Sequence, residues 1–253
     1  VERLGSVSPD SGPAAARRAL DASATGAVEI ARPALGDLPY RDFIAAVLRV
    51  RGFKLDCNRL APDAALALVS DRLFGPGAFV RERARFAEDI AALAAFMDGL
   101  ASARPSIAIR TYFAPGDLVW HVDRVSEATA FRLVWPIGRP AGMRVTPADN
   151  VDAAIHAAYM RREHPLLGQL DTRVLREGGD VAAIWAHRPV QLAAMISGQF
   201  PFLIDPAREV EVTPGAASIH LVETPAHSGT YHRSSWANRH SPGLQVVITA
   251  AAD

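Results

Sequence analysis

At Pro105 the hydrophobic period of this chain changes from that of a helix to that of a strand. Before it, Phe86, Ile90, Leu93, Met97 and Leu100 advance by steps of four and three, one apolar seam on a helix over 80–100. After it, Ile107, Ile109, Thr111 and Phe113 alternate with Ala108, Arg110 and Tyr112, the two-residue period of a strand. Two further helices precede the switch. One covers 42–50, with Phe43, Val47 and Val50 on its inner face. The other starts at Pro62, runs through Leu66, Val69 and Leu73, and stops at Gly75-Pro76-Gly77. Strands are expected at 118–124, 130–136, 142–145, 174–176, 181–185, 210–213, 218–222 and 244–250, interrupted by helices at 151–162 and 190–196. Helices first, then short strands separated by Pro and Gly, predict an α+β fold. Its C-terminal half should be a sandwich or barrel.

Residues 1–39, rich in Ser, Pro, Gly and Ala, read as a poorly ordered leader with a short helix near 14–22. Residues 40–253 read as one domain. Its 27 Lys and Arg balance 27 Asp and Glu, so the electrostatic footprint of a non-specific nucleic-acid binder is missing. No apolar run approaches the roughly 20 residues that cross a bilayer, which argues against a membrane span. A single cysteine, Cys57, excludes an internal disulfide; beside Asp56 it is expected to be a buried small hydrophobe rather than a nucleophile. No basic-then-apolar leader is visible, and the expected address is the bacterial cytoplasm.

The most informative residues are His121-Val122-Asp123. Side chains alternate along a strand, so His121 and Asp123 share a face while Trp120 and Val122 point the other way. Imidazole and carboxylate at that spacing can grip one metal ion. With a second histidine from another strand they make the two-histidine, one-carboxylate triad of non-haem iron(II) oxygenases. The plain alternative is a surface His–Asp pair. Residues 227–240, HSGTYHRSSWANRH, supply candidates for the second histidine just before the final strand: His232 first, His227 and His240 as fallbacks, with His220 presented by its own strand. His156 and His164 are expected to face solvent. No G-x-S-x-G elbow, Walker loop or G-x-G-x-x-G is found, which disfavours serine hydrolysis and those modes of nucleotide binding.

The order LDCNRL (55–60), FAEDIAALAAFMDGL (86–100), SIAIRTYF, WHVDR, FRLVW, REGGDVAAIW and YHRSS, over about 55–250, resembles the bacterial family called domain of unknown function 1826. The resemblance implies that His121 and Asp123 act together with His232. A cupin-like jelly-roll, a double-stranded β-helix with the helical layer packed on it, is expected to carry them. The implied activity is that of an iron(II)- and 2-oxoglutarate-dependent dioxygenase acting on a small molecule or peptide. A zinc- or iron-binding protein without catalysis, and a metal-dependent cupin hydrolase or isomerase, need the same ligands. Where the family pattern has Arg-Arg before the last strand, this chain has Pro242-Gly243. The carboxylate clamp for 2-oxoglutarate then falls to Arg132, on the strand with Ala130 and Val134, or to Arg239. An ion pair with a structural acid is the other use of Arg132. Residues 188–217 look like an extra piece, a lid or a family ornament.

Overall fold

The computed structural model describes residues 4–50, 54–58, 60–112, 120–138, 142–160, 197–234 and 243–252, with Glu177, Ala183, Ala186, Pro189, Ala193 and Ala194 described singly. Strand β1 (Ser6–Val7), helix α1 (Pro13–Ala22) and strand β2 (Ala27–Ile30) come first. Then follow α2 (Arg41–Val47), β3 (Lys54–Asp56), α3 (Pro62–Phe74), α4 (Val80–Ala101) and β4 (Ser106–Tyr112). The rest is β5 (Thr129–Ile137), β6 (Arg144–Thr146), helical residues 153–160, β7 (Val210–Glu211), β8 (Ala217–Leu221), β9 (Tyr231–Arg233) and β10 (Gly243–Ala252).

Two sheets result. The larger has the order β1-β2-β8-β5-β10-β4-β3 and the smaller the order β7-β6-β9. Every pairing in them is antiparallel except β1 with β2. An isolated antiparallel bridge between His121 and His232 adds the 120s segment beside β9, outside the regular strands. Of the strand expected over 118–124, residues 118–119 lie outside the described residues, and the rest makes two isolated bridges, His121 to His232 and Arg124 to Glu223.

The apolar seam of α4 is buried as its spacing requires, with Phe86, Ile90, Leu93, Met97 and Leu100 in the main core. That face lies on β10 and β5, and α1, α2 and α3 pack against α4. Period 2 delivers the sheet side of the same core: Ile107 and Ile109, Phe131, Leu133, Trp135 and Ile137, Ile219, and Leu244, Val246 and Ile248. Gly75, at φ 95°, ends α3 where the sequence places the stop. Cys57 is buried, and burial, then the charge of Asp56, raises its thiol to about 11.

Several expectations differ from the structure. Residues 4–39 are no leader: β2 pairs with β8, and Val7, Ala16, Leu20, Val28 and Ile30 are buried in the main core. A four-residue strand between Gly26 and Pro33 carries too little periodicity to be read alone; the edge of β8 makes it a strand. Helices first and strands afterwards therefore misses two strands ahead of Tyr40. The described part of the piece 188–217 is built into the fold: β7 completes the small sheet, and Phe200, Phe202 and Leu203 join a second core. Of the strand expected at 181–185 only Ala183 is described, and it is helical; 174–176 lies outside the described residues. Among the described residues no helix is long and apolar enough to cross a membrane.

Candidate metal centre

The segment 120–125 is held by its backbone on both edges. His121 N–H donates to the carbonyl of His232, and His232 N–H donates back to His121, each at 3.0 Å. A pair that exchanges both bonds carries its side chains on the same face, and the two imidazole centroids lie 4.4 Å apart. Two residues on, Glu223 N–H donates to the Asp123 carbonyl at 2.8 Å, and the Glu223 carbonyl accepts from Val125 N–H at 3.0 Å. Gly229 permits this close passage. A Cβ there would come within 2.5 Å of both the Glu223 nitrogen and Val122 Cγ1.

Alternation along this segment follows the sequence expectation. Trp120 turns away into the second core with Val151, Tyr159, Phe200 and Phe202. His121 and Asp123 turn together toward the space between the sheets. There His121, Asp123 and His232 each offer a ligand atom, all within 4.8 Å of one another. They line a cavity of about 190 Å³ whose other walls include Arg110, Arg132, Val134, Met143, Gln245 and Val247.

The donor chemistry of the three fits a cation. His232 Nδ1 lies 3.0 Å from the Thr230 carbonyl, which only accepts, so Nδ1 carries the hydrogen. His232 Nε2 then faces Asp123 Oδ2 at 3.4 Å. A lone pair and a carboxylate oxygen are both acceptors, and a proton or a metal ion must sit between them. Burial pushes the Asp123 carboxyl up. The hydrogen bond and charge of His232, with Arg132 and His121, outweigh it and hold the group well below the usual carboxylate range. The carboxylate is therefore ionised at neutral pH, as ligation requires.

His220 stands behind this group and does not join it. It is fully buried on β8, its ring 4.8 Å from that of His232, and Nε2 meets Ser218 Oγ at 2.8 Å. Among the described residues its Nδ1 has no hydrogen-bond partner. Burial first, then the charge of His232, depresses its pKa far below the ordinary value, so the ring is neutral. His227 sits on the exposed turn closed by Thr224, away from the three ligands. His164, Arg239 and His240 lie outside the described residues. His156 corrects the solvent-facing expectation: Nε2 is 2.8 Å from the Trp120 carbonyl, and its ring meets Phe202 and Tyr231 edge-on. Helix periodicity could not reveal this, because the partners come from the 120s segment, β9 and the second core.

Arg132 lies on the face expected for it and forms the ion pair that the sequence left as its alternative use. Its Nη1 pairs with Asp123 Oδ1, and its Nε donates to Thr249 Oγ1 at 3.0 Å. Sequence reasoning missed Arg110 and Gln245. They are cross-strand partners on β4 and β10, with Arg110 Nε donating to Gln245 Oε1 at 2.9 Å. The signal was present: Arg110 falls between Ile109 and Thr111, on the strand face opposite the apolar one.

No family model matches the chain, and no curated protein matches it. The family resemblance is carried by its motifs alone. Among solved structures the chain is similar to the dioxygenase for auxin oxidation of rice, at 14% identity and a TM-score of 0.45, over 99% of this chain and 83% of that one. It is also similar to dioxygenase for auxin oxidation 1 of Arabidopsis thaliana in a binary complex with 2-oxoglutarate. There the identity is 12% and the TM-score 0.48, over 99% of this chain and 93% of that one.

Proposed function

We propose that this protein is a non-haem iron(II) oxygenase that uses 2-oxoglutarate and is built on a double-stranded β-helix. The observation that carries the proposal is the convergence of His121, Asp123 and His232 on the wall of one polar cavity between two sheets. Strand order supports the fold. The segments that follow the helices alternate between the sheets: β4, the 120s segment, β5, then β6 with β7, then β8, β9 and β10. Two histidines and a carboxylate leave coordination positions open, which suits a metal that must also take a co-substrate and dioxygen.

His121, Asp123 and His232 would hold the iron, and bound iron would supply dioxygen activation for attack on a substrate C–H bond. The protein's own contributions can be assigned. The Thr230 carbonyl fixes the tautomer and aim of His232. Arg110, which lines the cavity and donates to Gln245, would offer a cation for the far carboxylate of 2-oxoglutarate. Val134, Met143 and Val247 supply the apolar wall that keeps water from the reacting group. A substrate of small-molecule or peptide class is consistent with the balanced charge of the chain, which lacks the basic excess of a non-specific nucleic-acid binder.

The test is anaerobic titration of protein and iron(II) with 2-oxoglutarate, followed by measurement of succinate on admitting oxygen. A visible charge-transfer band on titration, then iron-dependent succinate, is the expected result; Arg110→Ala should weaken 2-oxoglutarate binding by tenfold or more, on the order of one charge-assisted contact. Stoichiometric metal without any response to 2-oxoglutarate would overturn the oxygenase reading and leave a zinc- or iron-binding protein or a metal-dependent cupin hydrolase or isomerase.

A further inference from the structure

Asp123 presents its two oxygens to different partners. Oδ2 faces His232 Nε2, and Oδ1 is taken by the Arg132 guanidinium. The guanidinium is itself fixed from behind, since its Nε donates to Thr249 Oγ1 on the neighbouring strand β10. Arg132 is a quarter exposed and Asp123 less, so the pair works where water competes weakly. A carboxylate with both oxygens available can chelate a metal through both; one whose second oxygen is held by a guanidinium chelates less readily, because the metal must compete for that oxygen's lone pairs.

We infer that Arg132 is a positioning residue of the metal centre: by occupying Asp123 Oδ1 it confines that ligand to a single metal bond and so keeps a coordination position open. This rests on the proposed metal site and goes beyond it. It also removes Arg132 from the co-substrate role that its strand position first suggested. A merely structural ion pair would affect stability and leave the number of ligands untouched. A positioning arginine changes how many positions the protein fills.

The experiment uses the full chain loaded with manganese(II), which reports exchangeable waters through proton relaxation, and with cobalt(II), whose visible spectrum reports coordination number. Arg132→Met keeps the stem and removes the donors. The expected result is stoichiometric manganese with the loss of about one exchangeable water relative to the original protein, because the freed oxygen takes that position. The cobalt spectrum should change with it. Thr249→Val, which removes only the rear anchor, should shift both readouts in the same direction and less far. Thr249→Val decides the matter if Arg132→Met does not fold. Unchanged water number and cobalt spectrum in the folded variants would overturn the inference and leave the metal site standing. Failure of the unsubstituted protein to bind either ion would overturn both.

Discussion

The large sheet has two faces of opposite character, and the contrast runs residue by residue along the same strands. On β5, Phe131, Leu133, Trp135 and Ile137 enter the main core, while Arg132 and Val134 face the cavity. On β10, Leu244, Val246 and Ile248 go one way and Gln245, Val247 and Thr249 the other. On β8, Ile219 is core, whereas Ser218 and His220 are buried polar groups bonded to each other. The polar face is partly open to water at Arg132, Val247 and Thr249, but Gln245, Ser218 and His220 are buried on it, so water exposure explains only part of the difference. An interior face that keeps Arg, Gln, Thr, Ser and His forgoes apolar burial, and structure alone gives no return for that. Function is the economical account of the polar face.

That contrast can be broken most directly at the ligands. Asp123→Ala or His232→Ala should lower metal affinity by about a hundredfold or more while the melting temperature changes little. His227→Ala should leave affinity unchanged, with calorimetric titration as the measurement. Next in size is the core face: Leu133→Ala should cost about 2–5 kcal/mol in denaturant unfolding while the folded fraction still binds metal at full stoichiometry. If Leu133→Ala spares stability, or Asp123→Ala destroys it, the two faces do not divide the labour. Gly229→Ala sharpens the comparison from the backbone side. Its Cβ collides with Glu223 and Val122 behind the ligand segment. A loss of about 1–3 kcal/mol should therefore come with weakened metal binding. The smallest effect belongs to His156, whose pKa burial depresses despite its bond to the Trp120 carbonyl. The folded form prefers the neutral ring, so its contribution is complete above about pH 6.5 and is lost as the pH falls below that value. His156→Phe should flatten this acid limb of stability measured against pH.

Period and spacing revealed the parts of this molecule that repeat. The α4 seam, the alternation on β4, β5 and β10, and the shared face of His121 and Asp123 all follow from geometry internal to one segment. Elements made by neighbours were opaque. β2 becomes a strand only against β8, and β9 has three residues, Tyr231–Arg233, that pair with β6. His232 was found by its motif and not by its strand. Arg132 was placed on the correct face, yet its partner Asp123 comes from another segment, and no local pattern encodes that meeting.

The position of β10 between β4 and β5 has a consequence for how the molecule comes into being. Its two neighbours are synthesised long before it, and they pair with it and not with each other. On a ribosome delivering roughly 5–20 residues per second, β4 and β5 wait several seconds with bare inner edges. Both edges are apolar on one side and invite wrong partners, so this interval is the chain's period of greatest aggregation risk. Thr249 and Gln245, the rear anchors of the two cavity arginines, arrive only with that strand. A nascent chain can therefore display all three candidate ligands before it has the wall that aims them.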